Sequence, residues 1–142
     1  MDETGQFDPA AEGWEPVEDS GFIALVGPLH ARAADGAYAF RAEQKHANLI
    51  GVVHGGMLMS FADRAMGVAA MIAAEGANVV TIQLEMKFIG AGRLGDWLIA
   101  APAVVHRTRS LVFMRGEVRA GSRLVATADG VWKILRRRPE AQ

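Results

Sequence analysis

Cysteine is absent from this chain of 142 residues. That excludes disulfides, thiolate catalysis and cysteine-based zinc sites, and it agrees with a cytoplasmic setting. Serine is scarce, confined to Ser20, Ser60, Ser110 and Ser122, and Ser60 sits in Met-Ser-Phe rather than in a Gly-x-Ser-x-Gly elbow. A serine hydrolase is therefore not expected. His30, His46, His54 and His106 are scattered, with no His-Glu-x-x-His, so no metal site is expected either. Neither glycine-rich phosphate loop, Gly-x-x-x-x-Gly-Lys-Ser/Thr or Gly-x-Gly-x-x-Gly, occurs. Excess charge is also missing: the formal net charge is −1, which offers no field for nucleic acid or an anionic membrane. The opening MDETGQFDPAAEGWEP lacks a basic region followed by an apolar stretch and does not read as a signal peptide.

With 51% hydrophobic and 22% charged residues, the composition is that of one globular domain with a real core. Residues 1–16 read as a flexible arm ending near Trp14, residues 17–136 as the domain, and residues 137–142 as a tail. An apolar element at 22–26 is closed by Gly27-Pro28. Residues 29–33 and 37–42 alternate apolar and polar side chains about Ala34-Asp35-Gly36, the pattern of a hairpin. A polar connection follows at 43–50. Residues 57–75 form a long helix of about 28 Å, with Gly55 and Gly56 at its entrance and Gly76 and Asn78 at its exit. Its apolar residues occur nearly all round, which predicts burial on most sides. Asp63 and Arg64 at its centre weigh against a membrane span. Strand-like runs then fill 79–88, 97–106, 111–118 and 124–134. Two strands, one helix and four strands predict an α+β fold, an antiparallel sheet wrapped on one central helix. Its open edges point to a dimer that continues the sheet.

Two features carry possible chemistry. Asp63 lies among Phe61, Ala62, Ala65 and Met66, and a carboxylate in such company is paired, protonated or functional. A salt bridge to Lys87 or an arginine, or exposure beside Arg64, would explain it without any catalytic role. His54-Gly55-Gly56 at the helix start is either a plain turn or a set of free N–H groups suited to an oxyanion.

Together, Asn48-x-x-Gly51-x-x-His54-Gly55-Gly56 and the later Ala62-Asp63 resemble the hotdog-fold acyl-CoA thioesterases of the PaaI-like branch, over about residues 22–135. The resemblance implies hydrolysis of a CoA thioester to free acid and CoA, with Asp63 as general base or nucleophile. It implies that the Gly55 N–H polarises the thioester carbonyl, that Asn48 positions water or carbonyl, and that His54 orders the loop or contacts the thioester. Thr81 falls near the nucleophilic water. It further implies a site between subunits, in a homodimer that pairs into a homotetramer, with no cofactor, since CoA is part of the substrate. Phe88, Gly90 and Arg93, with His106, Arg107, Arg109 and Ser110, are the positions implied for CoA. Gly90-Ala91-Gly92 replaces the usual Ser/Thr-Pro, which would loosen that loop, and Gln83 stands where some relatives carry an acidic residue. Met57, Phe61 and Met66 are candidates for acyl-pocket lining, ordinary core being the competing explanation. The alternative function is a non-catalytic acyl-CoA-binding or sensing protein. The acyl group itself is not specified by any of these residues.

Overall fold

The computed structural model describes residues 7–136; the first six residues of the expected arm and the whole expected tail at 137–142 lie outside the described residues. The hairpin forms as the alternation predicts, from β2 (His30–Arg32) and β3 (Ala37–Arg41). Asp35 closes it by accepting from the Arg32 guanidinium and from the Ala37 N–H, while Gly36 supplies the φ of +71° that the turn requires.

Residues 14–16, counted with the arm, instead form β1 (Trp14–Pro16), which pairs antiparallel with β2. Trp14 is 3% exposed, and the Arg32 guanidinium lies 4.4 Å from its ring centroid. A strand of three residues is too short to show an alternation, so burial of the indole decides it. The apolar element at 22–26 becomes a short helix, α1 (Gly21–Val26). Three strands therefore precede the long helix, not two.

That helix, α2, runs Gly55–Ala73. After it come β4 (Val79–Phe88), β5 (Trp97–Arg107), β6 (Leu111–Ala120) and β7 (Arg123–Ile134). All seven strands join one antiparallel sheet in the order β1-β2-β3-β5-β6-β7-β4. Leu58, Phe61, Ala62, Ala65 and Met66 turn one face of α2 onto the sheet, at spacings of three and four residues. Phe61 meets Phe40 edge-on at 4.7 Å, and Ala62 and Met66 share a cluster with Met114 and Trp132. Met57, Phe61 and Met66 are thus core residues, 7%, 0% and 2% exposed.

Burial on most sides of α2 is not what a single chain achieves. The sheet covers one face only, and Ile72 remains 71% exposed. β4 pairs with β7 alone, leaving a ten-residue edge with Val80, Ile82 and Phe88 exposed. Truncation of Phe61 to Ala should lower the unfolding free energy by about 3–5 kcal/mol through cavity formation. Arg115→Ala, which removes only an exposed pair with Asp129, should change it by less than about 1 kcal/mol. Urea denaturation of the two variants measures both.

Candidate active site

Helix α2 starts two residues earlier than its apolar pattern suggests because His54 caps it with a ring nitrogen. His54 Nδ1 accepts the Gly56 N–H at 2.8 Å, and the His54 carbonyl accepts from Met57 N–H at 2.9 Å. The accepting Nδ1 puts the imidazole proton on Nε2. A Cβ at residue 56 would stand 2.9 Å from Nδ1, so the cap requires glycine there. The Gly55 N–H, first in the helix, has no acceptor among the described residues. A Cβ at Gly55 would touch the Phe88 ring at 3.4 Å.

The approach to this cap is tied down residue by residue. His54 N–H donates to the His46 carbonyl at 2.7 Å. His46 is buried, accepting from Glu43 N–H at 2.9 Å through Nδ1 and donating to the Val26 carbonyl at 2.5 Å through Nε2. It is a satisfied core histidine that joins the end of α1 to the loop before α2. Asn48 spends its side-chain oxygen on the N–H groups of Ile50 and Val52, at 3.0 and 3.2 Å, and its amide NH2 is left without a protein partner among the described residues.

Further along α2, Asp63 is half-buried and accepts the Thr81 hydroxyl at 2.6 Å through Oδ1. No pairing with Lys87 occurs: that lysine lies 3.5 Å from Glu85. Arg64 turns the other way and binds Asp19 at 2.9 Å. Burial alone would lower the Arg64 pKa, but Asp19, with Tyr38 beside it, raises the guanidinium above its ordinary value. Asp63 and Thr81 stand in a cleft of about 410 Å³ whose other walls are Arg64, Gly67, Val68, Met71, Val79 and Trp132. Gly67 and Met71 follow from Asp63 by helical spacing, and Val68 follows from Arg64. Trp132 does not; it arrives by register, opposite Thr81 on β7.

Two groups of predicted residues gather separately. Asp63 and Thr81 form one. Asn48, His54, Gly55 and Phe88 form another at the start of α2, where Arg93 also lies through a bridge to Val52. Gly90 and Gly92 hold the adjoining loop rather than loosening it. A Cβ at Gly90 would meet the Leu124 carbonyl at 2.8 Å, and Gly92 accepts from Val53 N–H at 2.8 Å. His106, Arg107, Arg109 and Ser110 do not join either group. Arg107 Nη1 caps the far end of α2 at the Ala73 carbonyl, 2.6 Å away, about 28 Å of helix from Gly55.

The Thioesterase superfamily profile matches residues 50–127. A Pseudomonas aeruginosa protein provisionally named an esterase is 34% identical over 128 residues, 87% of this chain and 96% of its own length. Among solved structures, a Bacillus halodurans protein crystallised with CoA is similar at a TM-score of 0.74 and 22% identity, covering 82% of this chain and 78% of its own. The E. coli PaaI protein is similar at 0.66 and 22%, covering 76% and 73%. With its long helix wrapped by a single antiparallel sheet, the chain has the hotdog fold and belongs to the thioesterase superfamily.

Proposed function

We propose that the protein hydrolyses an acyl-CoA thioester at a site shared by two copies of the chain, with Asp63 as the general base. The observation that carries this reading is a half-buried carboxylate that accepts one short hydrogen bond at the end of an otherwise largely apolar cleft. Thr81 donates to Oδ1, which leaves Oδ2 to take a proton from water. The hydroxide attacks the thioester carbonyl, and the oxygen's developing charge meets the free Gly55 N–H at the positive end of α2. Collapse breaks the carbon–sulfur bond, and the proton held on Asp63 passes to the departing thiolate. Asn48 contributes its unpartnered amide NH2 to the water or the carbonyl.

Sharing between copies follows from reach. Gly55 and Asp63 are eight residues apart on one helix, about 12 Å along its axis, whereas reacting groups must stand within about 3.5 Å of each other. A carbonyl on Gly55 is therefore better matched to the Asp63 of a second copy than to that of its own chain. The unpaired edge of β4, which carries Thr81, is the surface on which a second copy would extend the sheet. The CoA found with the Bacillus halodurans relative supports the ligand class; Phe88 lies against Gly55, and Gly90 and Arg93 on the loop after it would contact the CoA.

Asp63→Asn should lower kcat for a CoA thioester by about 10²–10⁴ with the melting temperature unchanged, followed by release of free thiol. Acyl-CoA binding by the unaltered protein without thiol release would sink the enzymatic reading. Gly56→Ala should displace the His54 ring and lower kcat/KM about tenfold. His54→Asn, which keeps a side-chain acceptor at the cap, should lose much less than His54→Ala. Light scattering should report at least a dimer, and a monomer with full activity would rule out the shared site.

A further inference from the structure

The cap that starts α2 works in one protonation state only. His54 Nδ1 accepts the Gly56 N–H at 2.8 Å through its lone pair. An imidazolium has no such pair to offer, because both of its nitrogens carry hydrogen. No other acceptor stands ready for that N–H among the described residues: the His54 carbonyl is already shared by the N–H groups of Met57 and Leu58, at 2.9 and 3.2 Å. The ring is also accessible to protons, since His54 is exposed and its Nε2 has no protein partner among the described residues. His46 makes the same kind of bond to Glu43 N–H, but it is buried and its Nε2 is held by the Val26 carbonyl.

A proton on the His54 ring would set a positive charge against the positive end of the helix. Its neighbours do not compensate. From the segment before the helix, Lys45 and His46 border the same cavity of about 200 Å³. The Lys45 ammonium is engaged by the Gly27 carbonyl and lies 3.5 Å from Glu43. Helix α1 contributes Phe22 and Val26 to that cavity, and α2 contributes Met57 and Ser60, whose hydroxyl donates to the Gly56 carbonyl at 2.8 Å. Arg93 is bridged to Val52 through its backbone. No carboxylate among the described residues lines the cavity. A protonated ring therefore leaves the cap and turns outward, and Gly56 N–H becomes a second free donor beside Gly55.

We infer that His54 is a positioning residue with a pH switch built into it: the carbonyl-polarising end of α2 is assembled only while its imidazole is neutral, so hydrolysis weakens as the ring takes a proton. The inference rests on the thioesterase reading. Histidine is the side chain whose ordinary titration falls between pH 5 and 8, and carboxylic acids ordinarily take up their proton about two to three pH units lower. Loss of activity on acidification is therefore split in two. Release of the cap misplaces the Gly55 donor and costs about tenfold in kcat/KM, which leaves a shoulder in the profile. Protonation of a carboxylate base removes the remainder at lower pH.

The test compares kcat/KM for one CoA thioester from about pH 5 to 9, followed by loss of the thioester absorbance. The unaltered protein should show the step of about tenfold. His54→Asn, whose amide oxygen accepts at every pH in that range, should lack the step, and His54→Ala should be low throughout. A step of the same size and midpoint in His54→Asn overturns the inference. The amide signal of Gly56 in isotope-labelled protein supplies a readout that does not depend on turnover. It should shift with pH on the midpoint of the step, and stay still in His54→Asn. A Gly56 signal that holds still while the unaltered protein passes through the step overturns the switch. Failure of the unaltered protein on every thioester instead overturns the thioesterase reading, and the Gly56 signal still decides whether the cap opens with protonation.

Discussion

The hydrogen bond from Gly56 N–H to His54 Nδ1 decides where helix α2 begins, and with it which N–H at the helix end is left free. An uncapped helix end exposes several N–H donors alike; here one is taken by the imidazole, another by the His54 carbonyl, and Gly55 is left as the free donor. The cap depends in turn on what holds His54. Its N–H is bound to the His46 carbonyl, and buried His46 reaches across to the end of α1 at Val26. A chain of backbone and imidazole contacts thus fixes the direction in which one N–H points.

A straight helix then imposes a separation. Because α2 rises about 1.5 Å per residue, the donor at Gly55 and the carboxylate at Asp63 stand about 12 Å apart along its axis. One side of the molecule is also left uncovered. The sheet covers only one face of α2, a ten-residue strand edge is unpaired, and an apolar cleft stands open beside Asp63. These three deficiencies adjoin one another, and a second copy would meet them together. The far end of the helix is a different environment, where Arg107 is occupied in capping the Ala73 carbonyl.

Much of this was legible in residue order. Alternation marked the β2–β3 hairpin and the four long strands, and the apolar run with glycines at both ends marked α2. Asp63 drew notice as a carboxylate in an apolar run, and the resemblance through His54-Gly55-Gly56 gave it and Gly55 their expected roles. What the sequence left unreadable has definite causes. β1 is held by burial of Trp14 under Arg32, a contact between residues distant in the chain. The helix begins two residues before its apolar run because an imidazole serves as the cap in place of the commoner Ser, Thr, Asp or Asn. Gly90 and Gly92 suggested looseness, whereas each lies where a Cβ would crowd the Leu124 carbonyl or the Val53 side chain.

By itself the sequence determined the long helix, the hairpin and the four long strands and singled out candidate groups, because helix and strand periodicities are local and because a carboxylate among apolar neighbours is visible without coordinates. Only the tertiary structure decided the company those groups keep. Thr81 reaches Asp63 and Trp132 walls the cleft through the register of β4 on β7, and Arg64 is withdrawn to Asp19 across the fold. The physical reason is that hydrogen bonds and packing act over a few ångströms, and only folding brings residues far apart in the chain within that range.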